Sequence, residues 1–327
     1  MIEQILKQIE LITNWENEIN WDQKPWYLKL LIENTSLIFS YHLEKNYETK
    51  HQGSVDHIEV MKTRANSNIN DTYWMDVNKI FNTMLKNLRK FTSHIVITGS
   101  LADGEVIKGW SDIDCIIALK DSVMINPNIL LDAVYEIRKF KNNFKKIDPL
   151  SHHAFFILNE GSLTGRDVNL FPLGIFDSAL LLHGDCQLHL RRPAKITEPY
   201  YRLEQEKVFL KEVISNQEMR HHSRNGVSLK IPFNYNEEQM YQLKYLVGKI
   251  LLLPCYVAKM KGIDMGKRRS FDFVYSENIF KDELLYFENI RRSFVNRTSE
   301  YERINLIPKF IKSDEFIKNL DAVIKRI

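Results

Sequence analysis

Ile95-Val96-Ile97-Thr98-Gly99-Ser100 is followed, after eleven intervening residues, by Asp112-Ile113-Asp114-Cys115-Ile116-Ile117-Ala118-Leu119. Two apolar strands are thus joined through a Gly-Ser turn and a polar loop. Side chains of a strand alternate faces with a period of two. Asp112 and Asp114 therefore share a face, and Ile113 points into the core. Two carboxylates on one side of a strand edge repel each other and favour a cation between them. Mg²⁺ suits the place, because it is a hard cation that takes oxygen ligands. Glycine lets the backbone approach a phosphate closely, and Ser100 adds a hydroxyl and a backbone N–H.

The pattern of apolar strand, Gly-Ser, spacer and Asp-Ile-Asp-Cys resembles the DNA polymerase β-type nucleotidyltransferase superfamily, and Gly109-Trp110-Ser111-Asp112-Ile113-Asp114 fits it closely. The resemblance covers roughly residues 75 to 190, with its sharp part at 95–119. It implies an α+β fold in which a small mixed sheet is flanked by helices. It also implies transfer of a nucleoside monophosphate from an NTP to an acceptor, with pyrophosphate leaving. On this reading Asp112 and Asp114 bind metal, two Mg²⁺ ions in all, and Gly99 and Ser100 contact the triphosphate. Ser111 and Lys108 stand beside them as further contacts in the loop.

The superfamily usually carries a third acid on a later strand. The next apolar run, His152-His153-Ala154-Phe155-Phe156-Ile157-Leu158, holds no Asp or Glu. Asp148 precedes it, and Glu160 and Asp167 come after it. Alternation puts only one histidine of the pair on the side of the aspartates. His153 is taken as the catalytic base or ligand, with His152, Asp148, Asp167 or no group as the alternatives.

A length of 327 residues allows two or three domains. Apolar content of 44% and charged content of 27% belong to an ordinary folded protein. A net charge of +3 lacks the strong basic excess of a nucleic-acid binder, so a long nucleic acid is not favoured as acceptor. Cys115, Cys186 and Cys255 form no metal or disulfide pattern, which fits a reducing cytoplasm. Met1–Ile5 shows no basic stretch ahead of an apolar run, so no signal peptide is expected. The apolar stretch at 250–258 is too short to span a bilayer.

Helical periodicity marks 2–12, 26–42, 71–91 and 128–140, and 44–70 reads as an irregular connection. Phe176 to Leu182 reads as a short helix ended by Gly184-Asp185. Beyond Arg191-Arg192-Pro193, helices are expected at 202–216, 236–261, 281–296 and 314–327, with Pro254 dividing the second of these. The expected domains are an N-terminal helical extension (1–70), a nucleotidyltransferase catalytic domain (71–192) and a C-terminal helical bundle (193–327).

Other residues are weighed against plainer roles. Lys249 and Lys244 sit on or beside an apolar helical face; in relatives a lysine of the second domain often meets the triphosphate, and snorkelling is the plainer reading. Gly266–Phe271 and His221-His222 read as polar loops, Trp110 as a packing residue, and Asp103 and Glu105 as solvated loop acids. The expected activity is Mg²⁺-dependent transfer of an NMP to a hydroxyl of a small molecule, such as an antibiotic, or of a protein. The alternatives are a non-catalytic, antitoxin-like nucleotide-binding module and an RNA 3′-end transferase.

Overall fold

The computed structural model describes residues 25–46, 55–59, 61–62, 72–107, 110–111, 113–147, 155–164, 173–191, 199–216, 218–222, 228–232, 238–293 and 314–326. The helix expected at 2–12 lies outside them. The chain divides into two compact units. One comprises Met1–Val106, Ser111–Phe171 and Ile175–Ala194; the other comprises Ile107–Trp110, Pro172–Gly174 and Lys195–Ile327. No described helix is long and apolar enough to cross a membrane.

The first unit is built on the two strands that the sequence marks most clearly, β3 (Thr92–Thr98) and β4 (Asp114–Leu119). They pair antiparallel, with Ile97 opposite Cys115 and Thr98 opposite Asp114. β5 (Phe156–Asn159) joins β4 in parallel, and β6 (Leu180–His183) joins β3 antiparallel. β2 (Met61–Lys62) lies parallel to β6 and completes a mixed sheet in the order β2-β6-β3-β4-β5. A separate antiparallel pair joins β1 (Val55–Glu59) to β7 (Gln187–Arg191).

Three helices supply most of the packing: α1 (Pro25–Asn46), α2 (Thr72–Leu88) and α5 (Pro127–Ile147). Leu28, Ile32 and Phe39 of α1, Val77, Phe81 and Met84 of α2, and Ala133, Val134 and Ile137 of α5 share one core. Ile95, Ile97, Cys115, Ile117 and Leu119 of the sheet belong to that same core. Ile116 and Ala118 alternate with them and are also fully buried. β4 is therefore apolar on both faces, which explains its nearly continuous aliphatic sequence.

Two stretches depart from the sequence expectation. Residues 44–70 are not all irregular, because β1 and β2 form in that stretch. Phe176–Leu182 is not a helix either: a 3-10 turn spans Leu173–Phe176, and Leu180 onward is strand β6. Ala and Leu favour a helix locally, but four residues are too few to sustain one. β3 offers backbone partners along its open side, and the pairing wins. Gly184 then turns the chain toward β7 with φ +110, where a Cβ would lie 2.5 Å from the Ser93 carbonyl oxygen.

The second unit holds α7 (Pro199–Asn216), α8 (Glu238–Ile250), α9 (Leu253–Met260), α10 (Lys267–Ser276), α11 (Lys281–Ser293) and α12 (Asp314–Arg326). Helices dominate it, as the sequence predicts, and α8 gives way to α9 just ahead of Pro254. Proline lacks an N–H and clashes with the carbonyl four residues back, so a continuous helix cannot form there. Residues 236 and 237, where that helix is expected to start, lie outside the described residues. Two stretches expected as polar loops are instead regular structure. Lys267-Arg268-Arg269 opens α10, and His221-His222 ends β8 (Glu218–His222), which pairs antiparallel with β9 (Ser228–Pro232).

Lys244 of α8 is only 6% exposed. Burial alone draws its ammonium down to about 7 from the ordinary 10.5. Between these values the unfolded chain holds a proton that the folded chain lacks. Stability owed to this residue therefore rises with pH across that window and is flat below it. Lys244→Met is expected to raise stability near pH 7 by a few kcal/mol, with the gap to wild type narrowing toward pH 10. Urea unfolding of both proteins at several pH values between these limits measures it.

Candidate active site

The register of β3 and β4 sets the site. Thr98 pairs with Asp114, so the next residue, Gly99, begins the turn directly beside the Asp114 side chain. Gly99 has φ +70, and a Cβ built on it would lie 2.4 Å from Asp114 Oδ2. Only a residue without a side chain fits this approach in this backbone conformation. Gly99–Ala102 forms a single helical turn, α3, to which Thr98 supplies no side-chain cap. The Asp103 N–H closes the turn on the Gly99 carbonyl at 2.9 Å, and the Glu105 N–H reaches the Ser100 carbonyl at 2.9 Å.

Asp114 lies at the start of β4 and is half-buried, whereas the five strand residues after it are buried. It shares a face with Ile116 and Ala118, opposite the face that Cys115 and Ile117 turn to the helices. Ile113 is buried at 2% in that helical core, as its alternation predicts. The carboxylate adjoins buried surroundings: burial, then the charge of Asp114, push the Cys115 thiol far above its ordinary range. Cys115 is thus an inert core residue.

Asp112, Lys108 and His153 lie outside the described residues, as do His152, Asp148 and Asp167. Ser111 is 7% exposed and Trp110 4%, so the indole is a packed residue. Among the described residues no group of three or more His, Cys, Asp or Glu side chains is placed to hold a metal. The donor chemistry that is described nevertheless suits Mg²⁺: a carboxylate oxygen faces a serine-bearing turn.

Glu160 is not part of this site. It comes just after β5, whose Asn159 pairs with Leu119 at the far end of β4. Five strand steps from Asp114 amount to roughly 16 Å. There the Asp121 N–H donates to Glu160 Oε2 at 3.2 Å, and Asn159 Nδ2 donates to Asp121 Oδ1 at 2.7 Å. Burial pushes the Asp121 carboxyl up, the Asn159 hydrogen bond pulls it partly back, and the Glu160 charge adds to the rise.

The lysines of α8 do not snorkel to the surface. Lys249 Nζ lies 2.5 Å from Glu206 Oε1 of α7 and 5.6 Å from the Tyr245 ring centroid. Burial lowers its ammonium, but Glu206 and then Tyr245 outweigh that, and the net shift is upward. Asp103 also departs from the expectation of a solvated loop acid, because the Ser178 hydroxyl donates to its carboxylate. No local sequence signal marks Ser178: its partner is 75 positions away in sequence, and the strand it precedes reads locally as helix.

Residues 77–181 match the nucleotidyltransferase domain family. The match contains β3, the Gly-Ser turn and β4, so this part of the chain is similar to a nucleotidyltransferase domain. The solved structure of spectinomycin adenyltransferase AAD(9) from Enterococcus faecialis with ATP and spectinomycin is similar at 15% sequence identity. The similarity covers 77% of this chain and 99% of that one, with a TM-score of 0.32. A score at that level decides nothing about fold or chemistry. No curated protein matches the chain.

Gly99→Ala is expected to cost roughly 1–2 kcal/mol from its left-handed φ and to displace the Asp114 carboxylate as well. Thermal unfolding should show a drop of a few degrees. Binding of Mg²⁺–NTP, measured by calorimetry, should be lost; binding at wild-type strength would contradict the close approach.

Proposed function

We propose that the protein transfers a nucleoside monophosphate from an NTP to a hydroxyl of a small-molecule acceptor, releasing pyrophosphate. The observation that carries this reading is the Asp114 carboxylate set against the side-chain-free Gly99 of the Gly-Ser turn. That arrangement sets a carboxylate able to hold a cation beside a turn whose backbone N–H groups suit phosphate oxygens. The family match over residues 77–181 supports the same reaction class.

In this reading Gly99 and Ser100 bind the triphosphate, with Ser111 and Lys108 as further contacts along the loop. Lys249 belongs to this set only by analogy with relatives, since its ammonium already meets Glu206. Asp112 and Asp114 would hold Mg²⁺, which when bound supplies charge neutralisation at the phosphate oxygens. The acceptor oxygen attacks the α-phosphorus, the bond from that phosphorus to the bridging oxygen breaks, and pyrophosphate leaves with the electron pair. His153 takes the proton of the acceptor hydroxyl. The modest net charge of +3 supports a small acceptor over a long polyanion, and a cytoplasmic setting fits three unpaired cysteines.

Asp114→Asn and Asp112→Asn should each lower pyrophosphate release by roughly a hundredfold or more, because the charge that holds the cation is lost. The assay is Mg²⁺-dependent release from labelled NTPs in the presence of a panel of hydroxyl-bearing small molecules. Unchanged turnover in either variant, with folding intact, would remove that aspartate from the site.

A further inference from the structure

We infer that Ser178 is a positioning residue for the Gly99–Ser100 turn and acts through Asp103. The inference rests on the reading of that turn as the triphosphate site. Three observations within the first unit converge on it.

The first is register. β6 pairs with β3 so that Leu180 lies opposite Ile97. The pairing ends there, and Ser178 stands two residues earlier, in the turn that leads into β6. β3 therefore has β4, which begins at Asp114, on one side and β6, entered from Ser178, on the other.

The second is connectivity. Asp103 is the residue that ends α3, and its backbone N–H bonds to the Gly99 carbonyl at 2.9 Å. Its side chain accepts the hydrogen bond from the Ser178 hydroxyl. One residue thus closes the turn with its main chain and ties it to the approach of β6 with its side chain. Both partners are half-buried, so water competes less for the bond than it would at an open surface.

The third is the weakness of the turn itself. Four helical residues cannot sustain their own conformation, and Gly99 is the most permissive residue for leaving it. The direction of the Ser100 N–H and hydroxyl must therefore be imposed from outside. The Ser178–Asp103 bond is a side-chain tie across 75 positions of sequence that reaches the residue closing the turn.

The test uses the full chain with Ser178→Ala, Asp103→Ala and the double variant. Hydrogen exchange is measured at the amides of Asp103 and Glu105, whose N–H groups bond to Gly99 and Ser100. Each single change should speed exchange there about tenfold, the factor matching loss of one hydrogen bond. The double variant should exchange no faster than either single one, since the pair acts as a unit. Affinity for fluorescent NTPs with Mg²⁺ should fall by a similar factor in all three, and Ser178→Thr, which keeps the hydroxyl, should restore it. Unchanged exchange in both single variants overturns the tie itself. Faster exchange with unchanged NTP affinity overturns the positioning role, leaving only a tether. Wild-type protein that binds no NTP overturns the underlying reading of the turn, which the exchange data then separate from the tie.

Discussion

The pairing of Thr98 with Asp114 fixes everything else about the site. It makes the last residue of one strand and the first of the next neighbours across the ladder. The chain leaving β3 must then pass the Asp114 carboxylate at a distance that no side chain tolerates. Glycine at position 99 is the consequence, and its positive φ lets the chain reverse into a helical turn without striking that carboxylate. A slip of one residue would send Asp114 to the helical face and Cys115 to the turn. The burial of Ile117 and Leu119 in one core with Ile95 and Ile97 guards against that slip, because both β4 residues would leave it.

Much of this was legible in the sequence because it is local. The strands β3 and β4, the helix over residues 72–88, the turn and the break before Pro254 each announce themselves within a short window. The misread elements depend on distant partners. β6 carries three helix-forming leucines, and becomes a strand because β3 presents an unpaired side to it. β1 and β2 are too short and polar to show periodicity; they exist because β7 and β6 accept them. The site divides the same way. Gly99 and Asp114 came from a contiguous motif, whereas the Ser178 contact requires knowing where β6 lies.

Charged side chains outside the motif show why sequence position is a poor guide to role. Lys244 and Lys249 lie five positions apart on the same helix, yet one is lowered by burial and the other is held charged by Glu206. Their helical spacing gives no hint of that difference. It arises from what faces each ammonium, and Glu206 lies on a separate helix 43 positions away in sequence.

The same logic decides which acids of the sheet can serve the turn. β4 has an acid at its start and another just past its end, Asp114 and Asp121. The strand between them is buried on both faces, where an unpaired carboxylate would be costly. Acids are therefore confined to the two ends, roughly 16 Å or more apart. At the far end Asn159 and Glu160 engage Asp121 with hydrogen bonds. At the near end the carboxylate meets a turn without a side chain. A later strand can supply a third group to this site only from its own entry side, because β5 runs parallel to β4. That direction excludes Glu160.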